Sequence, residues 1–185
     1  PDRVDANGLR LRRSALDRLM TIAAPRLDQL FGLVGNSGCC VLLTDSDGVV
    51  LDQRAGSGDA DTFEGWGLCT GAVWSEATEG TNGIGTCLAE RRQVVIHRSE
   101  HFFARNTAMS CMDAPIYGAD GKLIGAVLIG HDKQVVGLPG HGLFRQIGGT
   151  RGPGGHAGRG ACRSRTGRHW QRGYLRLSAT AERSS

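Results

Sequence analysis

The sequence predicts an α+β domain built on an antiparallel sheet, followed by a tail of different composition. Three observations carry this. A one-sided apolar stripe recurs at three- and four-residue steps over residues 16–31. Two Asp/Gly turn signatures, at 45–48 and 119–122, each join short apolar runs of strand length. Beyond residue 136 the apolar period stops and Gly and Arg take over.

The first helix is expected over residues 10–34, with Leu16, Leu19, Met20, Ala23, Leu27, Leu30 and Phe31 on one face. Ser14 with Asp17 suggests the start of a cap, Pro25 is expected to kink or divide the segment, and Gly35–Gly38 to end it. Residues 39–44 form an apolar strand, Asp45-Ser46-Asp47-Gly48 a tight turn, and 49–51 the partner strand. Residues 52–62 read as a loop, with a short helix starting between Asp59 and Glu64 and another over 84–90. Strands follow at 93–97, 109–117 and 123–129, the last two joined by the turn at 119–122. Residues 101–108, carrying Phe102 and Phe103, read as a short helix or loop.

Composition narrows the function classes. The chain has 185 residues, 39% hydrophobic and 22% charged, enough for one domain with a real core. No apolar run approaches the roughly 18–20 residues of a membrane helix, and residues 1–13 lack the pattern of a signal peptide. The six cysteines form no CxxC pair and are expected as reduced, mostly buried thiols in a cytoplasmic protein. Residues 1–136 hold 13 basic and 17 acidic side chains, a net of −4; residues 137–185 hold nine Arg and one acid, Glu182, a net of +8. That tail has 12 Gly and too little apolar surface to offset ordering entropy, so it is expected to be disordered. Its charge would draw polyanions incidentally; direct DNA recognition is not expected.

The densest run is Trp74 to Thr86, WSEATEGTNGIGT. It lacks the Lys of a P-loop, and Leu88 breaks the dinucleotide glycine pattern, so nucleotide binding is not expected. His97, His101, Cys87 and Cys111 match no metal-ligand spacing, and no nucleophile–base set or Gly-x-Ser-x-Gly elbow occurs. We therefore expect no metal, no cofactor and no enzyme. Trp74 suits either a pocket wall or a core aromatic. Asn82 suits turn fixing more than ligand contact. Glu76 and Glu79 read as exposed loop carboxylates, and Cys69 as a loop thiol whose redox role would need a depressed pKa.

The strings WSEATEGTNGIGTCLAE (74–90), HFF (101–103) and SCMDAPIYGADGKLIG (110–125), with DADTFEGWGLCTGAVWSE (59–76) before them, resemble the sensory GAF domain of acetoin-catabolism-type, sigma-54-dependent activators. The likeness covers about residues 10–130. It implies a central antiparallel sheet flanked by helices, with a metabolite-sized cavity on one face that takes a small-molecule effector. The 74–86 loop and the 101–117 segment are expected to line it, through Trp74, Glu76, Thr81, Asn82, Gly83, Ile84, Thr86, His101, Phe102, Cys111 and Pro115. In that family the domain controls an ATPase and a DNA-binding output. Neither a Walker motif nor a helix-turn-helix pattern is visible in this sequence, so an output ATPase would act in trans. The organisation expected is an N-terminal helical segment (1–35), a GAF-like sensory domain (36–136) and a low-complexity tail (137–185). The change at 136 reads as a truncation or shifted reading frame, since shifted GC-rich codons encode Gly, Arg, Ala and Pro. The apolar stripe is expected to pair with its copy in a homodimer.

Overall fold

The computed structural model describes residues 1–131 and the pair 175–176. Apart from that pair, the disordered tail expected over 137–185 lies outside the described residues.

Two helices open the chain, α1 (Ala6–Ala15) and α2 (Asp17–Val34). Asp5 caps α1, its carboxylate accepting the Gly8 N–H at 2.6 Å. The break between the helices falls at Leu16, whose φ of −113° and ψ of 26° leave the helical region. This corrects two expectations: the cap is Asp5 and not Ser14, and the division is not at Pro25. Pro25 sits inside α2. It is exposed, as is Thr21 one turn before it, so water can replace the backbone bond that proline cannot make.

The sheet strands are β1 (Cys39–Asp45), β2 (Val50–Arg54), β3 (Val94–His97), β4 (Ser110–Tyr117) and β5 (Leu123–His131). Their order is β2-β1-β5-β4-β3, every neighbouring pair antiparallel. A two-residue strand, β6 (Leu175–Arg176), pairs parallel with β4 at Ile116 and Tyr117. Residues 52–54, read as loop from their polarity, continue β2. At the β1–β2 turn, Asp45 Oδ1 accepts the N–H groups of Asp47 and Val49, each at 3.0 Å. Gly48 closes the turn at φ 83°, a left-handed conformation that favours glycine.

Alternation along the strands sends side chains to both faces, and both faces are covered. On one, Leu19, Ala23, Leu27, Leu30 and Val34 of α2 bury Val41, Leu43, Ala114, Ile116 and Ile129. The stripe expected to pair with a second copy thus packs on the chain's own sheet; Leu11 and Leu33 are the large apolar side chains these helices leave exposed. On the other face lie α3 (Ala60–Gly65), α4 (Glu76–Glu79) and α5 (Gly83–Glu90). There Phe63, Leu68, Trp74, Ile84, Cys87 and Met109 cover Cys40, Leu42, Cys111 and Leu128. Burying each such side chain is worth about 1.5–3 kcal/mol.

Candidate functional site

The glycine-rich run forms the roof over this second face. Ser75 caps α4 by accepting the Thr78 N–H. Asn82 caps α5: its Oδ1 accepts the Gly85 N–H and its amide nitrogen donates to the Gly80 carbonyl, both at 2.8 Å. Both ends of the Asn82 side chain therefore serve the turn. Trp74 is buried, and its indole N–H donates to the Gly67 carbonyl at 2.9 Å.

Beneath the roof is a cavity of about 10 Å³, lined by Leu68, Trp74, Asn82, Gly83, Ile84, His101, Met109, Cys111 and Leu128. That is at the threshold for a single water molecule. The metabolite-sized hollow expected from the sequence is not found here: the side chains beneath the roof pack together and leave about the volume of one water molecule. Of the predicted site residues, Trp74, Asn82, Gly83, Ile84, His101 and Cys111 come together here. Pro115 is buried on β4 but is not a lining residue. Glu76 and Thr86 turn outward and bond each other at 2.8 Å. Glu76 faces a separate open cleft of about 860 Å³ that also presents Asp47, Arg91, Tyr117 and Lys122. Thr81 contributes its carbonyl, which accepts the Phe102 N–H at 2.9 Å. Phe102 itself is 68% exposed, its ring lying on Gly80.

Two buried polar groups on this face have no hydrogen-bond partner among the described residues: Nε2 of His101 and both carboxyl oxygens of Asp113. His101 Nδ1 lies 2.9 Å from the Arg98 carbonyl. That bond requires the proton on Nδ1 and leaves Nε2 an acceptor. Burial lowers the His101 pKa, which favours this neutral ring. Asp113 is fully buried in β4, against Gly83 and Cys111. Desolvation pushes its carboxyl well above the carboxylate range, so it is held as the neutral acid, a proton donor. Asp113 was missed by the sequence reading, although it lies inside the 110–125 string.

The nearby thiols are inert by the same physics. Burial raises Cys40 to about 12 and lifts Cys87 and Cys111 as well. Cys69 is also buried and raised, the reverse of what redox sensitivity needs. Ser110 bonds the His97 ring at 2.7 Å, while Glu100 takes the His97 backbone N–H, so these three form no relay. Among the described residues no group of three His, Cys, Asp or Glu side chains could hold a metal, and no helix is long and apolar enough to cross a membrane.

Glu79, expected as an exposed carboxylate, is 3% exposed. It takes both its oxygens to Arg105, at 2.8 and 2.9 Å, and accepts from the Asn106 amide. It thereby ties the 98–108 segment, which carries His101, to α4.

A family model described as GAF domain matches residues 18–142. The chain belongs to the GAF domain family. The curated relatives of this GAF domain include the acetoin catabolism regulatory protein of Cupriavidus necator, 35% identical over 62% of this chain and 17% of the relative. The acetoin dehydrogenase operon transcriptional activator AcoR of Bacillus subtilis is 35% identical over 58% of this chain and 18% of the relative. The propane 2-monooxygenase operon transcriptional activator MimR of Mycolicibacterium goodii is 34% identical over 63% and 20%. This chain thus spans about a fifth or less of these relatives' length, and they are transcriptional regulators. Among solved structures, the E. coli DhaR(N)–DhaL complex matches with a TM-score of 0.71 at 14% identity, covering 80% of this chain and 52% of that one. That likeness supports the α+β GAF-like fold.

Proposed function

We propose that this domain is the ligand-sensing module of a bacterial, cytoplasmic transcriptional activator, and that it controls an ATPase and DNA-binding output. A small metabolite would enter between α5 and the sheet and favour one arrangement of the domain. The observation that carries this is a buried cavity lined by Trp74, Asn82 and His101, whose Nε2 has no partner, in a GAF domain about a third identical to regulators of metabolic operons. A signal requires the ligand to bind the open and closed arrangements with different affinity. No step of this role asks the domain for catalysis.

A thermal-shift screen tests it. Acetoin, short diols, short ketones and phenols are added to the full chain, and a ligand of the folded state raises its melting temperature. A rise that saturates with concentration for one of these classes is expected. A flat response to all of them removes the sensor reading.

A further inference from the structure

We propose that α1 is a conditionally folded helix, latched by Arg12 onto the β1–β2 turn and released as a unit when that turn moves. α1 is ten residues long, and isolated helices shorter than about 12–15 residues are marginal in water. Its order therefore comes from its contacts. None of its side chains is buried, and none belongs to the apolar cluster on either face of the sheet, unlike those of α2, α3 and α5. The contacts are polar. One terminal nitrogen of Arg12 donates to Asp45 Oδ2 at 2.6 Å and to Asp47 Oδ2 at 2.8 Å, and Arg13 Nε donates to the Leu51 carbonyl at 2.7 Å. Asp45 is buried, so the bond to it is screened less than a surface pair.

Both ends of α1 lead to Trp74. At its end, the turn that Arg12 grips also carries Gly48, whose carbonyl accepts the Trp74 N–H at 2.9 Å. A β-carbon on Gly48 would come within 3.2 Å of the Trp74 carbonyl oxygen and 3.1 Å of the Ser75 nitrogen, so turn and roof are in close contact. At its start, the Val4 N–H donates to the Gly71 carbonyl and the Asp2 carbonyl accepts the Val73 N–H, each at 2.9 Å. The folding of α1 and the seat of Trp74 thus share the same contacts, and a shift at either biases the other by the same free energy. The break at Leu16 lets α1 come away without disturbing α2. The latch does not require a metabolite beneath the roof, so it stands apart from the sensor reading.

Hydrogen–deuterium exchange on the full chain tests this, read at the amides of residues 9–16 and compared with those of α2 and β5. Arg12→Met keeps a long stem and removes both carboxylate bonds. The α1 amides are expected to exchange about tenfold faster or more, while α2 and β5 stay within about threefold of the parent. Arg12→Lys, a point charge without the planar fork, is expected to fall between the two. Gly48→Ala strains the turn at φ 83° and crowds Trp74; it is expected to speed the α1 amides although it touches no residue of that helix. Unchanged α1 protection in Arg12→Met overturns the latch, since other contacts would then hold the helix. Loss of protection in α2 and β5 in step with α1 overturns it too, because α1 would then unfold only with the whole domain. Unchanged α1 exchange in Gly48→Ala, with the Trp74 amide speeding up, overturns the link between α1 and the turn.

Discussion

Gly83 and Asp113 are packed so closely that a β-carbon at position 83 would run into the Asp113 carboxyl. The first turn of α5 and the centre of β4 are therefore fitted to each other through an absent side chain. Within a helix alanine is ordinarily better than glycine by about 0.5–1 kcal/mol. Here Gly83→Ala is expected to destabilise by about 1–3 kcal/mol in urea unfolding, as overpacking does. The cost should shrink in an Asp113→Ala background, where the carboxyl no longer opposes the new methyl group. A Gly83→Ala protein more stable than the parent would show that the acid lies elsewhere.

Stability should fall with rising pH on account of Asp113. Its folded-state pKa is raised by burial, so the folded protein keeps a proton that the unfolded chain releases above about pH 4. Between those two values the unfolded state binds fewer protons, and the slope is negative, up to about 1.4 kcal/mol per pH unit. Asp113→Asn has no such proton. Its unfolding free energy is expected to gain on the parent steadily from about pH 4 upward. His101, whose pKa is lowered, acts in the other sense, removing stability as pH falls below about 6.5. It is present in both proteins and drops out of the difference. A difference that stays constant with pH would contradict the buried neutral acid.

Loosening the Glu79 clamp should free the 98–108 segment. Glu79→Ala removes the carboxylate that holds Arg105 and Asn106. Arg105 is half exposed and can turn to water, which limits the cost to about 1.5–3 kcal/mol. Hydrogen–deuterium exchange is the decisive readout. The Phe102 amide, bonded to Thr81, is expected to lose protection well before the amides of β4 and β5.

The β1–β2 turn offers a separable pair of effects. Asp45 Oδ1 takes two backbone N–H groups of the turn, and Oδ2 meets Arg12 at 2.6 Å. Arg12 bonds Asp47 as well, and these partners raise its pKa. Asp45→Asn keeps an oxygen for the turn and weakens the α1 tether; about 1 kcal/mol is expected in urea unfolding. Asp45→Ala loses both, for about 2–3 kcal/mol. Equal costs for the two would mean that the ion pair, not the turn, carries the stability.

Most strands and the short helices α3 and α5 were legible because apolar runs and Asp/Gly turns are local signals; α4, a single turn capped by Ser75, was not. The apolar stripe of α2 was legible too, but not what it covers, since a stripe looks the same whether it meets its own sheet or another chain. Pro25 misled because the penalty for proline depends on which side of the helix it occupies. Asp113 was hidden for a related reason. In a strand with one wet face an Asp at an alternate position reads as solvent-facing, yet β4 is covered on both faces, so that position has no water to reach. Glu79 reads as exposed because its partners Arg105 and Asn106 are distant in the sequence. The motif located the roof of the cavity; the tight interior is packed by side chains brought together from Leu68 to Leu128, which no spacing encodes.

Cys111 and Leu128 look toward the cavity, while their strand neighbours Ala114, Ile116 and Ile129 bear on α2. One sheet is thus a shared diaphragm. A molecule wedged under α5 would push on the very strands that seat the long N-terminal helix, so a message crossing this domain would have only the thickness of a polypeptide layer to travel.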